Sequence, residues 1–193
     1  MKKIMFNDKY GLTQAVLEGR KSMTRRIVPD SILRHANMEA EVLGGKLPDR
    51  IMDHIPYCYS EVVAVAQSYT DAKYPPSYII DEFHPNIEYE AGWTNKMFVR
   101  GVLMPHLIRI TNVCVERLQD ISDEDCIREG VRKKSDFPHK KSQPFYFDGG
   151  KHSWDNSFRT PRQAFAALID KVSGKGTWQS NPWVFVYEFE LVK

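Results

Sequence analysis

The segment Glu18-Gly19-Arg20-Lys21-Ser22-Met23-Thr24-Arg25-Arg26 gathers side chains able to do chemistry within a short reach of chain. Arg20, Lys21, Arg25 and Arg26 set cations beside the hydroxyls of Ser22 and Thr24. Two kinds of chemistry suit such a set. Arg26 can clamp a phosphate or carboxylate bidentately, or pair with an internal Glu. Thr24 can attack an amide or ester carbonyl once a base takes its proton. Lys21 can be that base only if its pKa falls from about 10.4 toward 7–8. Like-charge repulsion from the neighbouring arginines and desolvation both push it that way. The plainer alternative is a solvated basic edge in which Thr24 is an ordinary strand residue.

Position decides between these readings. Residues three apart on a regular strand point to opposite faces. Lys21 and Thr24 therefore converge only where the backbone turns or bulges. The sequence offers a turn: residues 11–17 read as a helix, Gly19 accepts the left-handed conformation that ends one, and Met23 to Val28 read as the strand that follows.

Ile4 to Phe6 reads as a strand, and the apolar run 61–67 as one covered on both faces. Met97 to Arg100 and Leu107 to Arg117 read as strands. In the second, Leu107, Arg109, Thr111, Val113, Val115 and Arg117 share one face. Ser122 caps a short helix with an acidic first turn, and Gly130 follows its end. Thr160-Pro161-Arg162-Gln163 starts a helix whose buried face is Ala164, Phe165, Leu168, Ile169 and Val172. Gly174-Lys175-Gly176 stops it. It has no upstream glycine spacing to make a phosphate loop with Thr177. Trp183 to Val192 alternates as a final strand. The expected class is α+β: a small mixed or antiparallel barrel with peripheral helices.

The chain has 193 residues, 42% of them apolar, enough for one domain (1–193) with insertions near 30–57, 70–95 and 132–159. A net charge of +2 argues against a protein that coats duplex nucleic acid. Cys58, Cys114 and Cys126 form no Cys-x-x-Cys pair, so reduced thiols in a cytoplasmic setting are expected. The N-terminus lacks the apolar run of a signal peptide, and no stretch is apolar enough to span a membrane. The histidines make no His-Glu-x-x-His or comparable spacing, so neither a metal site nor a cofactor is expected. His106, after Pro105, either bonds locally or lines a pocket. Trp183 is core, a pocket wall or a surface for stacking a base.

Gly19, Lys21, Thr24 and Arg26 fall in register with the pattern Gly-x-Lys-x-x-(Glu or Thr)-x-Arg. In this the chain resembles the ASCH domains, small β-barrels related to the PUA RNA-binding fold. Ser60 to Val65, Met104-Pro105-His106, Val115 to Ile121 running into Glu129-Gly130, and Asn181 to Phe189 resemble further segments of that family in the same order. The resemblance implies a PUA-like barrel that binds RNA or a nucleotide-like small molecule, with Gly19, Arg20, Arg26, His106 and Trp183 as candidate contacts. One branch of the superfamily consists of compact amidohydrolases that remove the acetyl group from N-acetylcytidine. Similarity to that branch implies Lys21, Thr24 and a downstream Glu, here Glu129, as catalytic residues. The chain departs from those enzymes in its length. A binding module, an amidohydrolase and a phage or mobile-element accessory protein acting through a protein partner all remain open at this point.

Overall fold

The computed structural model describes residues 1–73, 91–133, 145–146 and 157–192. Most of the expected insertions at 70–95 and 132–159 lies outside these, as do Trp154 and Lys140-Lys141. The architecture is α+β. Strands β1 (Lys3–Ile4), β2 (Met23–Ile27), β3 (Val62–Val65), β4 (Leu107–Arg117) and β8 (Trp183–Leu191) form a mixed sheet in the order β1-β3-β4-β8-β2. Only the β1–β3 pair is parallel. A small antiparallel sheet joins β5 (Arg132–Lys133), β6 (Phe145–Tyr146) and β7 (Ser157–Phe158). The helices are α1 (Leu12–Leu17), α2 (Asp30–Leu43), α3 (Leu47–Met52), α4 (Asp123–Arg128), α5 (Pro161–Ser173) and α6 (Thr177–Ser180). No ladder joins β1 to β2, so the main sheet is open rather than closed on itself. No helix among the described residues is long and apolar enough to cross a membrane.

Local chemistry sets the helix ends. The Ser122 hydroxyl accepts the Asp125 N–H at 3.1 Å, and the Thr160 hydroxyl accepts the Gln163 N–H at 3.1 Å. Pro161 fills the first position of α5, where a missing N–H costs nothing. Ala164, Phe165, Leu168 and Ile169 turn inward as their spacing requires, whereas Val172, expected on the same face, stands exposed near the helix end. The segment 30–57, broken in sequence by Gly44-Gly45 and Pro48, folds into α2 and α3 around those breaks.

Two strand expectations change. Met97 to Arg100 forms no strand. The carbonyls of Met97 and Val99 both accept from the Lys3 ammonium at 2.7 Å, and Met97 and Phe98 stand exposed. In β4 the alternation does not run through. Ile110 pairs with Phe189 and Asn112 with Glu188, so Thr111 is an extra residue opposite none. This bulge moves the inward face by one position, from Ile108 and Ile110 to the half-buried Val113 and Val115. Central β8 is covered on both sides, with Val184, Phe185, Val186, Tyr187 and Phe189 all buried.

The bulge makes a stability prediction. Ile110→Ala should cost about 2–5 kcal/mol, whereas Thr111→Ala should stay within about 0.5 kcal/mol. Urea denaturation of both variants measures this. A large loss at Thr111 would mean the strand alternates unbroken.

Candidate functional site

The chain leaves α1 through Gly19, whose φ of +71° lies in the left-handed region. The N–H groups of Arg20 and Lys21 then both donate to the Ala15 carbonyl at 2.9 Å, which folds the backbone back against the helix end. Ser22 is fixed on both sides: its N–H donates to the Arg128 carbonyl, and its carbonyl accepts from the Phe189 N–H. This anchors the start of β2 beside the end of α4. Gly130, just past α4, has φ +106°, and a Cβ there would meet Leu12 Cδ2 at 3.2 Å and Lys21 Cδ at 3.7 Å. Glycine thus leaves room for the lysine stem to pass the backbone and reach Glu129.

Lys21 Nζ donates to Glu129 Oε2 at 2.6 Å and to the Glu129 carbonyl at 2.7 Å. Both residues are buried, at 3% and 4% exposure. Arg25 Nη1 reaches the other carboxylate oxygen, Glu129 Oε1, at 3.3 Å. The rest of that guanidinium bonds Glu116 Oε1 at 2.9 and 2.7 Å and approaches Asp125 Oδ2 at 3.4 Å. One carboxylate therefore joins two buried cations. Burial pushes the Lys21 pKa below its usual value, Arg26 and Arg25 push the same way, and the Glu129 carboxylate opposes them.

A cavity of about 250 Å³ opens onto this pair. Lys21, Thr24, Arg25, Arg26 and Glu129 line it, with Met5 and Phe6 opposite and Leu168, Ile169 and Val172 of α5 as an apolar wall. Thr24 and Arg26 share one face of β2, and Arg25 lies on the other. All three line one cavity because β2 is the edge strand and the cavity lies off that edge. The opposite wall follows β1, the other edge. Arg26 Nη2 donates to the Met5 carbonyl across the gap, and Arg26 Cζ and Lys21 Nζ lie 5.6 and 5.8 Å from the Phe6 ring centroid. The Nε of Arg26 is buried and has no hydrogen-bond partner among the described residues.

The structure therefore brings Lys21, Thr24, Glu129 and Arg26 to one cavity, and it leaves the other sequence candidates elsewhere. Gly19 makes the turn. Arg20 pairs with Glu18 at 2.7 Å on the surface. His106 Nδ1 lies 2.7 Å from Gln67 Oε1, and the Trp183 ring lies under Arg117 at 4.2 Å; neither lines the cavity. Sequence reasoning missed Arg25 as the link between Glu129, Glu116 and Asp125. The available signal was the acidic first turn of α4 together with Glu116, carboxylates that need a buried cation.

No family model matches the chain, and no curated protein matches it. A solved structure of a DUF984 protein from Enterococcus faecalis V583 is similar at 14% identity, over 100% of this chain and 77% of that one, with a TM-score of 0.39. A likeness that distant carries no argument about either chain.

Two stability effects follow from the buried pair. Glu129→Ala leaves two cations without their shared carboxylate and should cost about 3–5 kcal/mol, read by denaturant unfolding. A lysine whose folded pKa is depressed makes stability rise with pH, because the unfolded chain holds the proton that the folded protein has released. The window runs from the lowered folded value up to about 10.4. The stability of the native protein relative to Lys21→Met should therefore increase as pH is raised toward 10. A flat or falling difference would show that Lys21 keeps its proton throughout.

Proposed function

We propose that this chain is an ASCH/PUA-like protein that deacylates a nucleoside-like small molecule of the N-acetylcytidine kind, using Lys21, Thr24 and Glu129. The observation that carries the reading is the buried Lys21–Glu129 pair at 2.6 Å, opening onto the same cavity as Thr24. The strand order supports the barrel relationship. The unpaired edges β1 and β2 face each other across a seam that Arg26 bridges to the Met5 carbonyl.

Glu129 holds Lys21 Nζ through its side chain and its carbonyl, leaving one position of the tetrahedral nitrogen for the cavity. In the neutral amine that position is a lone pair. Thr24 Oγ1 attacks the acyl carbon and its proton passes to Lys21 Nζ. The tetrahedral intermediate collapses with loss of the C–N bond, and Lys21 returns the proton to the leaving nitrogen. Water then attacks the acyl ester on Thr24, again giving its proton to Lys21. Cleavage of the ester returns a proton to Thr24 Oγ1 and releases acetate, with one proton going to solvent.

An RNA strand is the less supported occupant. Lys21 and Arg25 already face carboxylates, and Arg20 is paired with Glu18. Backbone binding needs cations free to meet phosphates. A cavity of about 250 Å³ suits one small molecule better than a chain of them.

Purified protein incubated with N-acetylcytidine should release acetate, followed by proton NMR. Lys21→Ala and Thr24→Ala should each lower the rate by roughly 10²–10⁴-fold, while Thr24→Ser keeps part of it. No turnover across a panel of acylated nucleosides would remove the hydrolase reading. Calorimetric binding of the same compounds without turnover would then favour a pure binding module.

A further inference from the structure

A second cluster lies away from the cavity, on the helical pair that folds from residues 30–52. His35 and Glu39 are four apart on α2 and so share one face. His54 follows α3 and packs against them. The three side chains offer ligand atoms that all lie within 4.8 Å of one another. Each oxygen of Glu39 faces a different imidazole: Oε1 lies 3.4 Å from His35 Nε2, and Oε2 lies 3.1 Å from His54 Nε2. The imidazole rings stand edge to face at 86°, with centroids 5.0 Å apart. We propose that His35, Glu39 and His54 form a site for a divalent zinc-type ion that ties α2 to the end of α3.

Two arguments support the assignment. Two neutral imidazoles and one carboxylate are a zinc ligand set, and three protein ligands leave a fourth position for water. One ligand atom from each residue lies within 4.8 Å of the other two, close enough for modest side-chain rotations to bring all three onto one ion. All three side chains are at least partly open to solvent, at 52%, 24% and 29% exposure, so an ion has a route in.

The sequence hid this centre because its third ligand comes from beyond a second helix rather than from a short motif. None of the three residues lines the cavity beside Lys21, so the site stands independently of the hydrolase reading.

The test is calorimetric titration of chelator-treated protein with Zn²⁺ alone. One equivalent should bind, and the melting temperature should rise with free Zn²⁺. His35→Ala, Glu39→Gln and His54→Ala should each weaken binding by about tenfold or more, while His106→Ala leaves it unchanged. His35 is half exposed, so its variant keeps the test sound if a change at His54 disturbs folding, which circular dichroism reports. Absence of saturable one-to-one binding would overturn the site. So would an affinity unmoved by His35→Ala and Glu39→Gln, or a thiolate charge-transfer band with Co²⁺, which would assign the ion to a cysteine.

Discussion

Two buried cations lean on one carboxylate, and the placement of the functional elements follows from keeping it there. Lys21 and Arg25 enter from either side of Ser22, and both reach Glu129 at the end of α4. Lys21 depends on it for a counter-charge, whereas Arg25 also holds Glu116 and Asp125. Helix α4 must therefore end beside the start of β2. Its Ser122 cap sets its beginning, its acidic first turn supplies Asp125 to the same arginine, and Gly130 clears the path of the lysine stem. A neutral core of similar volume would serve stability as well or better. An ion pair at this depth is more readily understood where the lysine has a task, and burial has already lowered the cost of its losing a proton.

What the sequence made legible was mostly local. The capping hydroxyls of Ser122 and Thr160, the 3.6-residue period of α5 and the glycine exit at Gly19 are each decided within a few residues. Each appears in the structure as its chemistry requires. The long strands were also legible, but their faces were not. Alternation predicts one continuous face for β4, and only the pairing with β8 shows that Thr111 has no partner. The proposed strand at Met97 failed for a related reason. Its carbonyls bind the Lys3 side chain, a contact across more than ninety residues that no window of sequence contains.

The site divides along the same line. Lys21, Thr24 and Arg26 were visible because their types and spacing sit in one short segment. The geometric objection, that residues three apart on a strand diverge, falls away because Lys21 sits in the turn before β2 begins at Met23; the sheet edge matters for Arg25, on the other face from Thr24. Beyond an edge strand there is no further ladder, so side chains from both faces can bend round to a common space. Arg25 was read only as part of a basic run. Its partners Glu116 and Asp125 come from β4 and α4, and a charge run in sequence does not say which member is paired inside.

Open edges are a hazard, since unpaired N–H and C=O groups invite other chains to add a strand. Here Arg26 of edge strand β2 reaches the Met5 carbonyl just past edge strand β1, and residues of α5 line the cavity beside them. Hydrogen bonds between the two edges would pair them. Leaving them wholly apart would expose both. The side chain of Arg26, bonded to the Met5 carbonyl and resting against Phe6, is an intermediate solution: it spans the seam and satisfies an edge carbonyl, yet keeps the space beside it. Its remaining buried Nε–H is then left without a partner, a state that proteins rarely keep without reason.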